Sequence, residues 1–326
     1  MADNADDVDG ADVFIIYRYR GGRAPQHVTH VVIDKSVEVI EDNAFKDCHH
    51  LVQVETHDGI RRVSDKAFFR CKSLRRINLR SVCEVSESAF CRCENLKFVE
   101  FGETVEIGLM AFGGCSSLQR LNLTSIIITG RGSFRCCEAL TDIEFSERLE
   151  TIREGAFYGC ERLRRIAIPL KRGLFVIHDL SFRYNQFDNC GRLRTVDLVG
   201  GAHTKTATSL HMHCWRAEVI EEINRINQVL PNTPADYKTE EIQQWMESVI
   251  DKIDHYRAEH CRFVKEAVTL LELALWKAKL GEKEENCAEG RTKKAKLGAE
   301  SARREKRITC GADMVIKNVL PFLRLE

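Results

Sequence analysis

The sequence predicts an α+β chain: a parallel β-solenoid with one strand per coil, followed by a C-terminal α-helical bundle or hairpin. Three observations predict it. A Phe-x-x-Cys-x-x-Leu pattern recurs seven times at a nearly constant interval. Each recurrence runs into a short alternation of apolar and polar residues. After Gly200-Gly201 the apolar period lengthens from two residues to between three and four.

The repeat comes first, because a fixed period dictates the architecture before any local signal does. The phenylalanines stand at positions 45, 68, 90, 112, 134, 157 and 187, with gaps of 23, 22, 22, 22, 23 and 30. A period near 22 means one coil per repeat, and the last gap holds an insertion near 172–185. Three residues after each Phe comes Cys48, Cys71, Cys93, Cys115, Cys137, Cys160 or Cys190, and three further on a Leu. The run that follows, as in Leu74-Arg75-Arg76-Ile77-Asn78-Leu79, alternates like a half-buried strand. One such strand per coil stacks into a parallel sheet at about 4.8 Å per strand. The Ala-Phe-x-x-Cys segment is expected as a short helical or 3₁₀ turn on the opposite side. A coil cannot bury its apolar face alone, so stacking makes one continuous core. Each buried Phe contributes roughly 1.5–3 kcal/mol of transfer free energy.

The flanks follow in chain order. Residues 1–10 are acidic and expected to be disordered. Residues 11–35 hold two apolar runs, Val13 to Tyr17 and Val28 to Ile33, around Gly21-Gly22; they read as two strands around a turn, an N-terminal β cap. The solenoid spans 36–201. The remaining region, 202–326, is expected to be helical, with a charged linker at 282–307. One helix covers Trp215 to Leu230, ended by Pro231-Asn232-Thr233-Pro234. A second, from about Thr239 to Leu280, carries Ile242, Met246, Val249, Ile253, Tyr256, Phe263 and Leu270 in a heptad stripe suited to a hairpin or coiled coil. A third is expected over about 308–320. The apolar overhang of the long helix makes self-association a candidate role.

These residues resemble the BspA-like subclass of leucine-rich repeats, whose repeat carries Ala-Phe-x-x-Cys-x-x-Leu. The resemblance covers about Val31 to Val199 and implies a leucine-rich-repeat solenoid used in adhesion or protein recognition. The segments 227–234 and 316–323 also resemble the expanded repeat families of diatoms and related algae.

Composition narrows the function. Lys+Arg and Asp+Glu are both 49, so no global charge draws the chain to nucleic acid or an anionic membrane. The acidic start lacks the basic-then-apolar order of a secretory signal. No run approaches the roughly 18 apolar residues of a membrane helix. Fourteen cysteines are therefore expected as free thiols in a cytoplasmic or nuclear protein. The seven repeat cysteines form a ladder, which does not converge on a metal. In the close pairs Cys91/Cys93 and Cys136/Cys137, alternation turns one thiol outward. His211-Met212-His213-Cys214 has ligand chemistry but a spacing that fits no zinc finger. Phosphate loops, nucleophile elbows and His-Glu-x-x-His are absent from the sequence. No catalytic residue, metal or cofactor is assigned, and an enzyme is not expected. Lys293-Lys294-Ala295-Lys296 and Arg303-Arg304-Glu305-Lys306-Arg307 resemble a bipartite nuclear-import signal within 291–307.

The candidate site is the sheet face, expected to be concave. In each strand the residues either side of the central apolar one point away from the core. The position before it holds Gln53, Arg76, Phe98, Arg120, Asp142, Arg165 and Thr195. The position after it holds Glu55, Asn78, Glu100, Asn122, Glu144, Ala167 and Asp197. One column is Arg-rich and the next acidic or amide, with Phe98 as an aromatic anchor. Such mixed charge suits a protein or peptide partner better than a phosphate backbone or a membrane.

Overall fold

The computed structural model describes residues 15–104, 106–176, 184–199 and 212–288, with backbone alone at 120, 212–217, 260 and 278–288. The expectations for residues 1–10, the basic segment 291–307 and the third helix at 308–320 lie outside the described residues. The chain divides into two compact units, Met1–Asp251 and Lys252–Glu326.

In the first unit nine strands, from Ile16–Tyr19 to Thr195–Val199, form one all-parallel sheet in chain order. This is the long strand that the alternation predicts. A second parallel sheet is made of six two-residue strands, from Val39–Ile40 to Thr151–Ile152. Each contributes one buried residue, Ile40, Val63, Val85, Ile107, Thr129 or Ile152. One inward residue per pass is too short a run to show a period.

Between the sheets the seven repeat phenylalanines stack ring on ring. Centroids lie 4.9 to 5.7 Å apart with planes within 9° of parallel. Phe101, Phe145 and Phe175 meet the stack edge-on, at 5.7, 6.1 and 5.8 Å. Such aromatic pairs are worth about 0.5–1.5 kcal/mol beyond area burial. The chain turns tightly around each ring. Asn43, Lys66, Ser88, Met110, Gly132 and Gly155 precede a Phe by two residues, and Asp47, Arg70, Arg92, Gly114, Cys136, Gly159 and Asn189 follow by two. All have φ between 53° and 74°. Few are glycines, though left-handed backbone costs an L-residue roughly 1–2 kcal/mol. Cys136 is one of these turn residues, which accounts for its place beside Cys137.

The cysteine ladder lies beside the phenylalanines, and its thiols are paired. Cys71 Sγ donates to the Phe45 carbonyl at 3.0 Å, Cys93 to Phe68 at 3.1 Å and Cys115 to Phe90 at 3.1 Å. Cys137, Cys160 and Cys190 repeat the bond to Phe112, Phe134 and Phe157. Each of these carbonyls also takes the N–H of its own coil's Cys, as Phe68 does from Cys71. A thiol thus fills the second lone pair of a buried carbonyl while occupying little space. Burial pushes the Cys48 thiol up to about 11 and Cys190 to about 12, so both stay protonated and able to donate. The eleven described cysteines are all free. Cys91, expected to turn outward, is instead buried; the preceding coil puts the larger Phe69 at the same place in the stack. Native alkylation followed by peptide mass spectrometry is expected to label half-buried Cys83, Cys136 and Cys261 well before the seven ladder cysteines. Equal labelling rates would contradict the buried ladder.

Both ends of the solenoid are closed. The two N-terminal strands, Ile16–Tyr19 and His30–Ile33, are parallel rather than a hairpin, so the cap is a shortened first coil. Its Tyr19 ring covers the aromatic stack, 4.8 Å from Phe45. At the other end, helix α1 (Met212–Val229) and the start of helix α2 (Lys238–Ala288) substitute side chains for a missing coil. The N–H of Phe134 meets the Ala156 carbonyl of the next coil at 2.8 Å. The N–H of Phe187 meets Thr239 Oγ1 at 3.0 Å instead. Val196 N–H goes to Asn227 Oδ1 at 2.8 Å. The Glu94 carbonyl accepts from Ser117 of the next coil, whereas the equivalent Gly191 carbonyl accepts from Lys238 Nζ at 3.1 Å. That ammonium also donates to the Leu193 carbonyl. Trp245 Nε1 ties α2 to the Glu222 carbonyl of α1 at 2.9 Å, over buried Val219, Ile226, Ile242 and Val249.

In the second unit α2 continues to Ala288, into the stretch expected as a charged linker. Its Lys, Glu and Ala residues are good helix formers, and charge by itself does not end a helix.

Candidate functional site

The columns read from the sequence are aligned by hydrogen-bond register. Gln53 pairs with Arg76, Arg76 with Phe98 and Phe98 with Arg120. Arg120 then pairs with Asp142, Asp142 with Arg165 and Arg165 with Thr195. The second column aligns Asn78 with Glu100, Asn122 with Glu144, and Ala167 with Asp197. The column also extends two strands further than the repeat motif shows: His30 is in register with Gln53, and Ile16 with His30. The run His30-Val31-Val32-Ile33 carries the alternation without the Phe and Cys, so it reads as part of a cap.

Among the described residues, exposure follows the alternation with one exception. Glu55, Arg76, Asn78, Glu100, Asn122 and Glu144 are exposed, and Gln53, Asp142, Arg165 and Asp197 half-buried. Phe98 leaves 53% of its surface in solvent. Ala167, expected on the outer side, is only 1% exposed. Its neighbours in both columns are larger, and a methyl group does not rise above them.

Ion pairs stand in both halves of the face. Toward its C-terminal end Arg165 pairs with Asp197, and with Glu144 at 3.8 Å. These groups satisfy one another. Toward the N-terminal end Arg80 pairs with Glu100 at 3.0 Å. Here an open hollow of about 540 Å³ is lined by Gln53, Glu55, Arg76, Asn78, Phe98 and Glu100. Its chemistry is that of hydrogen bonding, ion pairing and aromatic contact on a flat surface.

Other candidates carry less. Among the described residues no group of three His, Cys, Asp or Glu is placed to hold a metal. The side chains of 211–214 are outside the described set. No described helix is long and apolar enough to cross a membrane.

Residues 24–129 and 84–214 match the family model described as BspA type Leucine rich repeat region, in 6 copies. No curated protein matches the chain. Among solved structures the chain is similar to a leucine-rich repeat protein from Eubacterium ventriosum ATCC 27560, at 22% identity over 43% of this chain and 40% of that one, with a TM-score of 0.39. A leucine-rich repeat protein from Bacteroides ovatus ATCC 8483 is 20% identical over 57% of this chain and 64% of that one, TM-score 0.38. The T. pallidum Leucine Rich Repeat protein is 22% identical over 55% and 71%, TM-score 0.35. The chain thus spans less than two thirds of the first two structures it matches.

Proposed function

The chain belongs to the BspA-type leucine-rich repeat family, and from that premise we propose that it is a non-enzymatic binding module whose long-strand face holds a protein or peptide. One observation carries this reading. The outward columns align an exposed aromatic, Phe98, between two arginine positions on adjacent strands. Exposed large aromatics beside Arg are what interface anchors are made of. A row with carboxylates and amides beside it favours a protein over a uniformly charged phosphate chain.

The double variant Phe98→Ala/Arg120→Glu tests it. Affinity purification from native lysate is expected to lose the specific partners that wild type recovers, with an unchanged far-ultraviolet circular dichroism spectrum. Undiminished recovery would remove the face from consideration.

A second reading places function on the helices. In α2, Leu270 is 67% exposed and Trp276 66%, with Phe263 also exposed on the heptad stripe. An exposed apolar stripe of this kind supports self-association or a scaffold role. The same purification with a chain ending at Asp251 separates the two. Such a chain keeps the cap residues Asn227, Lys238, Thr239 and Trp245. Partners retained by it belong to the repeats, and partners lost belong to the helix. We further propose kinship with algal repeat families, from segments 227–234 and 316–323, and nuclear import through the two basic clusters of 291–307.

A further inference from the structure

The last two coils bring four arginines together on the flank that leads into the long strands. Arg162 and Arg164 bracket buried Leu163 in the sixth coil, and Arg192 and Arg194 bracket buried Leu193 in the seventh. The two coils match residue for residue here. Leu163 N–H donates to the Cys160 carbonyl and Leu193 N–H to the Cys190 carbonyl, each at 3.0 Å. Arg194 N–H donates to the Arg164 carbonyl at 3.0 Å, and the residues that follow, Arg165 and Thr195, are in register in the sheet. The four positions therefore mark a small quadrilateral, about 4.8 Å from coil to coil and at most about 7 Å along each coil.

All four side chains are exposed, and among the described residues none of them forms an ion pair. Arg165 next to them shows the contrast, being paired with Asp197 and Glu144. Glu161, the carboxylate beside Arg162 in the chain, is exposed and stands outside every ion pair too. A further cation lies close by: Lys238 Nζ donates to the Gly191 and Leu193 carbonyls, on either side of Arg192. Burial foremost, and the charge of Arg194 as well, lower the pKa of that ammonium. Like charges gathered this closely repel one another, and no contact within the described fold uses the four guanidinium groups. The fifth coil has Ala139 and Thr141 at the same two positions, so the cluster is confined to two coils.

We propose that this quadrilateral binds one phosphoryl group, carried on a serine or threonine of a partner protein. The surface is separate from the long-strand columns and does not depend on their role. A phosphomonoester brings a charge of about −1.5 to −2 and three acceptor oxygens to one point. A carboxylate brings one charge and two oxygens in a plane, enough for a single arginine fork. Four forks around one small area therefore suit the phosphoryl group better, and clustered arginines are a recurring way to recognise phosphorylated segments. A nucleic-acid backbone needs cations that continue along a track, and this cluster stops after two coils.

Fluorescence anisotropy on the full chain in low-salt buffer tests this with four labelled probes. Three are one short Gly-Ala peptide with phosphoserine, glutamate or serine at its centre, and the fourth is an oligothymidylate, which carries phosphodiesters. The phosphopeptide is expected to bind saturably and about tenfold or more tighter than the glutamate peptide, with no saturation by the serine peptide. Its binding is expected to weaken below about pH 6, where phosphoserine loses its second charge while the arginines keep theirs. Arg164→Gln/Arg194→Gln is expected to weaken it about tenfold or more. Arg75→Gln/Lys97→Gln removes two exposed cations from the same column in the second and third coils and is expected to leave it unchanged. Circular dichroism confirms that each variant is folded. Equal affinity for the phosphoserine and glutamate peptides, no saturation up to roughly 0.5 mM, or equal losses from the two double variants overturns the proposal. Tighter binding of the oligothymidylate through Arg164 and Arg194 also overturns it, in favour of a nucleic-acid surface.

Discussion

Phe112→Ala is expected to destabilise the chain by about 3–5 kcal/mol, read as a fall in the urea midpoint of the circular dichroism transition. Phe112 is fully buried in the middle of the aromatic stack. Its ring lies 5.1 Å from Phe90 and 5.4 Å from Phe134, with Phe101 edge-on at 5.7 Å. Truncation removes all three contacts at once and leaves a void, because backbone hydrogen bonds on both sides prevent the coils from closing in. Coils of a solenoid are coupled only to their neighbours. A break in the central coil is therefore also expected to broaden the transition, as the two halves begin to unfold separately. Phe98→Ala provides the internal control. It deletes the same ring from the outer side of the neighbouring coil, where surface changes cost within about 0.5 kcal/mol. A loss below about 1 kcal/mol for Phe112→Ala would show that the stack does not hold the fold together.

Lys238→Met is expected to cost about 2–4 kcal/mol, measured the same way. The side chain is 1% exposed, and its ammonium serves the carbonyls of Gly191 and Leu193. Methionine keeps the aliphatic stem and leaves the buried Leu193 carbonyl and the part-buried Gly191 carbonyl without this donor, a buried acceptor costing roughly 1–3 kcal/mol and the other less, partly offset because a buried charge is also removed. The pH dependence has a definite sign. Burial holds the Lys238 pKa below its ordinary 10.5, so the folded chain gives up this proton before the unfolded chain does. Between the lowered value and 10.5 the unfolded state binds more protons, and wild-type stability relative to Lys238→Met rises with pH. Below the lowered value the difference is constant. A wild type no more stable than Lys238→Met would mean that the last coil needs no such cap.

Both effects depend on the same design. The repeats make a core that any number of coils would extend, and something must stop it. Tyr19 stops it at one end with a ring, and Asn227, Lys238 and Thr239 stop it at the other with polar atoms. The second device is the more specific, since it restores hydrogen bonds of the kind an eighth coil would supply.

The sequence by itself determined the coil, its period, the buried Phe and Cys columns and the outward columns of the face. These are all consequences of repetition. When every coil has the same length, equivalent residues must stack, and register follows without any knowledge of tertiary contacts. The face from Gln53 to Asp197 was legible for that reason. Only the tertiary structure decided what repetition does not carry. The second sheet offers one inward residue per pass, which leaves no alternation to detect. The left-handed turns are filled by Lys66, Arg70, Arg92 and Met110, residues with no turn signature. Ala167 and Cys91 are covered by larger neighbours that belong to other coils. The C-terminal cap joins Phe187 to Thr239 and Gly191 to Lys238 across roughly fifty residues. No local pattern marks those partners, because a single lysine beside a single threonine acquires its role only from the carbonyl and amide that the last coil leaves open.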